Sequence, residues 1–594
     1  MSMNPNLNMD WINNPNLNES DLMGISENCG YDVLLGANNG EEPRRAYGTV
    51  KWPNDQEINS LVPEKDEEEP ETEPECLTFT ALEDSSIGIR LIQDFSTIER
   101  GNFEYSLDNG ENWEEYLWDD DNNGEIISLS SGDVIKFRGN NPCLSKYHVS
   151  GSSYHQFKMT GRINASGDVT SLLNNIGGDV PMPTEGYFGM CNLFRDCTSL
   201  VEAPSLPSTN LSEYCYNDMF KGCTSLTKTP ELPATTLAEY CYSYMFNGCT
   251  SLTTAPELPA TTLAKSCYFS MFLNCINLIT ISELPATTMA ESCYSGMFGN
   301  CTSLTTAPEL PATTLAKSCY GAIEVMPGFY SSIGMFGNCT SLTTAPDLPA
   351  TMLADGCYSN MFNSCTSLTT APDLPATTLA ISCYSNMFNG CTSLTTAPDL
   401  PATTLAESCY EHMFSNCTGL TTAPELSATT LAESCYSNMF NSCTNLTSAP
   451  ELPAITLTLN CYSNMFQGCT NLTSAPELPA TTLAQSCYSG MFGNCTSLTT
   501  APELPATTLV DRCYGAVEMM PGVYMLNGMF EGCSSLNYIK AMFTTEPSGT
   551  YLAKWVTGVS ENGTFVMNSA AEWNPEDYRG DNGIPVGWTV ITNQ

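Results

Sequence analysis

The residues of this chain that look most capable of chemistry are its cysteines, which fall into two columns. One runs Cys215, Cys241, Cys267 and on to Cys513; the other runs Cys197, Cys223, Cys249 and on to Cys533. Of 29 cysteines, 25 stand in these columns. Zinc sites take thiolates a few residues apart, in fours. Here seven residues separate the two columns within a unit, and no His accompanies them. Buried free thiols behave as small hydrophobes, so core packing is the first reading, with inter-column disulfides and metal behind it. Other catalytic chemistry finds little to use. The histidines are His148, His155 and His412, and no nucleophile elbow, phosphate loop or H-E-x-x-H motif is present. Carboxylates are abundant enough for a glycosidase pair. Yet an acid repeated identically in each unit looks architectural, because an active site needs a unique constellation.

Two further columns face the same test. An acidic one comprises Glu231, Glu257, Glu283, Glu309, Asp347, Asp373, Asp399, Glu425, Glu451, Glu477 and Glu503. Calcium would need six to eight oxygen ligands, and no D-x-D-x-D-G loop supplies them along this column. A solvated face that discourages edge-to-edge pairing is the expected role. The tyrosine column includes Tyr358, Tyr384, Tyr410, Tyr436 and Tyr462, with Asn360, Asn386, Asn438 and Asn464 close by. Each tyrosine follows an inward cysteine, so its ring is expected outside or on a ridge. Stacked rings beside amides suit a sugar ligand; coil-on-coil packing is the plainer alternative.

All these columns belong to one repeat: C-Y-S-x-M-F-x-x-C-T-S-L-T-T-A-P-E-L-P-A-T-T-L-A-x-S. Its phenylalanine recurs thirteen times from Phe194 to Phe530, stepping 26 residues ten times and 38 twice. Both long steps carry a 12-residue insertion after Cys-Tyr, in segments beginning Gly321-Ala322-Ile323-Glu324 and Gly515-Ala516-Val517-Glu518. A unit this short cannot bury its own apolar face, but stacked copies can, which gives a solenoid. The expected inward set around Phe246 is Cys241, Met245, Phe246, Cys249, Leu252, Ala255, Leu258 and Leu263. The core ladders are Phe246, Phe272 and Phe298; Cys249, Cys275 and Cys301; Leu252, Leu278 and Leu304. Met-Phe followed by Cys and Leu at three-residue steps suggests a short helical turn. The two prolines of Thr-Thr-Ala-Pro-Glu-Leu-Pro leave only a short extended segment. Thirteen coils at strand spacing would run roughly 60 Å.

The pattern M-F-x-x-C-x-x-L-x-x-A-P-x-L-P resembles the BspA-like (Treponema-type) leucine-rich repeat. Cys241 falls where that family usually has Ile, and Met245 where it has Ala. The unit here is longer and carries an additional proline. The resemblance implies surface display, adhesion and partner binding rather than catalysis, and similar arrays are also carried on bacteriophage virion proteins.

Around the array the composition changes. Residues 1–63 read as a docking arm, with Asn4-Pro5-Asn6-Leu7-Asn8 nearly duplicated at Asn14-Pro15-Asn16-Leu17-Asn18. Residues 64–75 are an acidic, proline-rich run that repels itself and reads as a linker. Residues 76–165 alternate as strands, with Asn109-Gly110 a hairpin turn, and read as a small β-sandwich acting as a spacer. Ser106-Leu107-Asp108-Asn109-Gly110-Glu111-Asn112-Trp113 matches an Asp-box, which marks a hairpin and no chemistry. Residues 166–540 hold the solenoid, and 541–594, with Trp555, Phe565, Trp573 and Trp588, a C-terminal cap. The fold class is thus an α+β leucine-rich-repeat solenoid with an N-terminal β-sandwich and an extended arm.

A net charge of -45 argues against nucleic acid or anionic lipid as partners. No apolar run is long enough to span a membrane. The polar, Asn-rich start lacks the basic and apolar regions of a secretory leader. The Asn-Cys-Thr triplets at Asn300 and Asn338 are therefore discounted as glycan acceptors. Absence of a leader in an adhesin-like chain points to a virion assembled in the cytoplasm, where thiols stay reduced. The expectation is a non-enzymatic fibre or decoration protein without cofactor or metal, binding a host-surface glycan or protein and reaching other virion proteins through its arm. A homo-oligomer is a further expectation, although no coiled coil is present to hold one. A bacterial cell-surface adhesin and a glycan-degrading tail protein are the alternatives. Ala at Tyr384, Tyr410 and Tyr436 is expected to weaken host-cell binding with little loss of folding.

Overall fold

Each coil of the array is built on a run of tight turns between the two cysteine columns. In the third coil, Tyr240, Tyr244 and Gly248 all have positive φ (55°, 57° and 77°), and the same every-fourth-residue rhythm recurs along the array. Left-handed residues interrupt an α-helix, so the block is a ribbon of turns rather than the short helix expected. Its apolar side chains recur about every four residues, close enough to the helical period to mimic it. Ser, Asn and Gly dominate the left-handed slots, as in Ser382, Asn386 and Gly390, because they tolerate that conformation best.

The backbone bonding of the block alternates. Cys241, Ser243, Met245, Asn247 and Cys249 donate three residues back within their own coil, at 3.0–3.4 Å. Tyr240, Tyr242, Tyr244, Phe246 and Gly248 donate instead to carbonyls of the next coil, those of Lys265, Cys267, Phe269, Met271 and Leu273, at 2.8–3.0 Å. On the far side of the coil the proline-containing segments run extended and touch through isolated parallel bridges such as Thr254 with Thr280 and Thr378 with Thr404.

The computed structural model describes residues 75–593 except 94–97, 120, 149–150, 184–188, 323, 327–328, 331–332, 521–522, 527 and 548–549. Earlier in the chain it describes only two two-residue strands, β1 (Leu34–Leu35) and β2 (Arg44–Arg45), which pair antiparallel. Apart from these four residues, the expected docking arm lies outside the described residues, as does nearly all of the linker. Residues 1–73 and 74–594 are separate units.

The second unit begins with two sheets. One contains β3 (Leu77–Ala81), β5 (Phe103–Ser106), β6 (Glu114–Glu115), β8 (Val134–Gly139), β11 (Ile163–Ser166) and β12 (Leu200–Glu202), in the order β12-β11-β3-β8-β5-β6. The other runs β7-β4-β10-β9, from Ile127–Leu129, Ser85–Ile92, Gly151–Thr160 and Ser145–His148. Phe79 and Phe137 of the first meet Phe157 of the second at 5.0 and 5.5 Å between ring centroids. The Asp-box joins β5 to β6: Asp108 Oδ1 accepts from Ser106 Oγ at 2.7 Å and from the Asn112 N–H at 2.8 Å. These bonds hold its carboxyl down at about 2.

These sheets are not a spacer. Strand β12 belongs to the first coil and pairs parallel with β11. Leu144 N–H donates to Gly189 O at 2.9 Å, Phe157 N–H to Leu193 O at 2.8 Å, and Gln156 Nε2 to Arg195 O. The β-rich region thus gives the first coil the donors that a preceding coil would have given.

The C-terminal segment likewise continues the array. Strands β17 (Tyr538–Ala541), β18 (Thr564–Asn568) and β19 (Thr589–Asn593) pair parallel, in register at steps of one coil. The carbonyls of Trp555 and Thr557 accept from Phe530 and Gly532, at 2.8 and 2.7 Å.

Each insertion adds a two-stranded hairpin, β13 (Glu324–Met326) with β14 (Phe329–Tyr330) and β15 (Val517–Met520) with β16 (Val523–Leu526). Ala322 N–H still reaches Ser359 O at 2.9 Å, and Met335 N–H still reaches Tyr320 O at 2.8 Å. The added length therefore lies at 323–334, and by the same bonding at 517–528. Excising both segments restores a uniform 26-residue phase. The shortened protein is expected to unfold cooperatively with an unchanged circular dichroism spectrum, and loss of folded signal would contradict this placement.

Candidate functional site

The core columns run continuously through the coils. Phe246, Phe272, Phe298, Cys249, Cys275, Cys301, Leu252, Leu278 and Leu304 are all 0% exposed. Phenylalanine rings stack nearly parallel from Phe194–Phe220 at 5.4 Å to Phe492–Phe530 at 5.8 Å. The column extends into the N-terminal sheets through Phe157, stacked on Phe194 at 5.1 Å. At the other end Trp555 closes it, 6.0 Å from Phe530.

The tyrosine column is a second such stack, and it is not a ligand ridge. Tyr358, Tyr384, Tyr410, Tyr436 and Tyr462 are 1–2% exposed, and successive rings lie 5.8 Å apart and nearly parallel. Each ring face is covered by the next ring, so no sugar reaches it. The expectation failed because a ribbon of turns does not alternate inward and outward as a strand does, and the residue after an inward cysteine also points in. Asn360, Asn386, Asn438 and Asn464 are the left-handed residues of their turns, with φ of 52–59°. The first three donate Nδ2 to the adjacent Ser359, Ser385 and Ser437 Oγ at 2.9–3.0 Å. Their amides serve the turn.

The cysteines have a specific packing role. Cys249, Cys391 and Cys495 donate Sγ–H to the carbonyls of Phe220, Phe362 and Phe466, one coil earlier, at 3.1–3.2 Å. The described cysteines are all free thiols. Burial pushes their pKa up, to about 12 for Cys275 and Cys383 and well above the ordinary thiol value for Cys391, which suppresses the nucleophilic thiolate.

His155 is equally withdrawn. Its Nε2 accepts from Gly101 N–H at 2.9 Å while Nδ1 faces Leu144 O at 3.0 Å, and burial lowers its pKa to about 4. His412 occupies a left-handed turn slot and is lowered by burial to about 4 as well. His148 lies on β9. Among the described residues no group of three or more His, Cys, Asp or Glu side chains is placed to hold a metal.

What remains accessible are the outer columns. The acidic column is exposed from Glu231 to Glu503, as are the threonine pairs such as Thr253-Thr254 and Thr261-Thr262. One local departure from the repeat was missed in the sequence. Tyr214, Tyr240 and Tyr244 take left-handed turn slots that most coils fill with Ser, Asn or Gly, and all three are only half-buried. Aligning each slot down the array shows them as outliers.

A stack of short coils with parallel bridges on one side, turns on the other and a leucine, phenylalanine and cysteine interior is a leucine-rich-repeat solenoid. The BspA type leucine rich repeat region matches in six copies, over residues 191–320, 330–447 and 384–510, together more than half of the chain. The chain belongs to this family. No curated protein matches it. Among solved structures, the crystal structure of a TLR13–ssRNA13 complex is similar at 13% identity and a TM-score of 0.18, covering 62% of this chain and 46% of that one. The chain thus spans less than half of that relative.

Replacing Tyr462 separates packing from ligand contact. Its hydroxyl finds no hydrogen-bond partner among the described residues. Tyr462→Phe is therefore expected to keep or raise stability, whereas Tyr462→Ala should cost about 3–5 kcal/mol in denaturant unfolding. Equal stability of the two variants would show the ring is not in the core. Thiol reactivity gives a second check: in the native chain the array cysteines should resist labelling by a disulfide reagent and react only on unfolding.

Proposed function

We propose that this chain is a non-enzymatic adhesion protein, carried on a virion as a fibre or decoration protein, whose solenoid binds a host-surface glycan or protein. BspA-type repeats are consistent with an adhesion or surface protein. One observation carries the reading furthest. The array thiols, the tyrosine column and His155 are locked inside, while the outer slots of the coil repeat in register along the array. Such a surface presents the same group at regular spacing, which suits multivalent attachment, where linked weak contacts add up. Free thiols fit assembly in a reducing compartment, and residues 1–63 supply the attachment to other virion proteins.

Immunogold labelling of particles and of intact cells tests the location, and saturable binding of the purified chain to host cells tests the role. Label on particles together with cell binding is the expected result. Label confined to the cell envelope would replace the virion reading with a cell-surface adhesin. Shortening of host capsule by the purified chain would overturn the non-enzymatic reading.

A further inference from the structure

We infer that the turn face of the second and third coils carries a binding site for a neutral glycan, built on Tyr214, Tyr240 and Tyr244. The inference rests on the solenoid being a binding surface and names the place and the ligand class.

Conformation singles these residues out first. The residue preceding the first-column cysteine is left-handed; seven later coils place Ser266, Ser292, Ser318, Ser382, Ser408, Ser434 and Ser486 there, with φ of 50–53°, and the other three place Gly356, Asn460 and Arg512. Tyr214 and Tyr240 hold the same slot at 57° and 55°, and Tyr244 holds the next slot at 57°. Bulky side chains are rare in this region, and strain of this kind gathers at functional positions. The fold does not require it, since serine serves the slot elsewhere. Nor do the rings fill the interior, which the columns of Tyr242 and Phe246 already occupy.

Geometry then gives a platform. The rings of Tyr214 and Tyr240 are parallel to within 2°, with centroids 4.5 Å apart. They come from successive coils, so their planes lie across the stacking direction. The fourth coil has Ser266 in this slot, and the ring stack stops at Tyr240. Lys265, ion-paired to Glu291 at 3.2 Å, lies beside it. Four residues on, Tyr244 meets Phe269 edge to face at 5.1 Å and carries the Lys221 ammonium 4.8 Å from its ring centroid. Lys221 also pairs with Asp218 at 2.9 Å, and Asn217 Nδ2 donates to Ser243 O at 3.2 Å.

A pyranose ring needs an uncovered aromatic face for its C–H groups and polar side chains around it for its hydroxyls; among the described residues no ring stacks on the face that Tyr240 turns away from Tyr214, and Tyr214 backs that ring from behind. Charge selects among glycans. The cations beside the rings are paired with carboxylates, Lys221 with Asp218 and Lys265 with Glu291. With a net charge of -45, sialylated and sulfated sugars would be repelled, which leaves uncharged ones.

The test uses the full chain on a printed array of neutral, sialylated and sulfated oligosaccharides. It is compared with a triple variant carrying Tyr214→Ser, Tyr240→Ser and Tyr244→Asn. These substitutions copy residues that later coils hold in the same slots, such as Ser266, Ser292 and Asn360, so folding is preserved, and the thermal midpoint should be unchanged or higher. The expected result is binding to neutral glycans that falls about tenfold in the variant, the scale set by lost ring stacking. Binding restricted to acidic glycans, or a variant that binds as well as the parent, overturns the site. Host-cell binding measured alongside keeps the two readings apart. No glycan bound while cells are still bound sinks this site alone, whereas loss of both sinks the adhesion reading too.

Discussion

In the turn block of each coil, alternate backbone N–H groups have no partner inside their own coil. Those of Tyr240, Tyr242, Tyr244, Phe246 and Gly248 are completed only by carbonyls of the following coil. Buried backbone donors are costly to leave unpaired, so no coil is complete alone and the array has a direction. Its first coil offers unpaired carbonyls and its last offers unpaired N–H groups. The two ends answer in kind. Leu144, Phe157 and Gln156 bring donors to the first coil, while the carbonyls of Trp555 and Thr557 bring acceptors to the last. The ends are chemically different caps because the ladder between them is polar.

The side-chain columns follow from the same stacking. Once coils are locked in register, like residues lie over like, and flat rings or small thiols fill the space with least strain. Cysteine suits its column because it is compact enough for the slot and its S–H still reaches the Phe carbonyl of the previous coil. Trp555 ends two columns together, lying 6.1 Å from Tyr514 and 6.0 Å from Phe530. The cost of this arrangement falls on chemistry: the thiols, phenols and His155 are buried where desolvation opposes their charged forms. Function is left to the outer slots, which the ladder does not constrain. That is where Tyr214, Tyr240 and Tyr244 depart from the repeat without disturbing it.

The periodicity of the chain was enough to establish a solenoid, its unit boundaries and its core. Phe246, Cys249 and Leu252 recur at an interval that only stacking can use. It also located the hairpin at Asn109-Gly110, since that dipeptide fits a specific turn. Periodicity could not determine the direction of the tyrosine column. Spacing alone does not separate a ribbon of turns repeating every four residues from a helix or a strand, and each implies a different orientation for Tyr384. The left-handed residues that decide it are ordinary Ser and Asn in the sequence.

The ends of the array were likewise beyond the sequence. Composition marked 76–165 and 541–594 as different, but their role as donor and acceptor caps depends on bonds between residues distant in the chain, such as Phe157 with Leu193. What the sequence determined by itself was the repeat and its apolar inventory, because these are local and multiplied thirteenfold. What only the tertiary structure decided was which face each column takes and how the ladder is closed, because both are properties of neighbouring coils in contact.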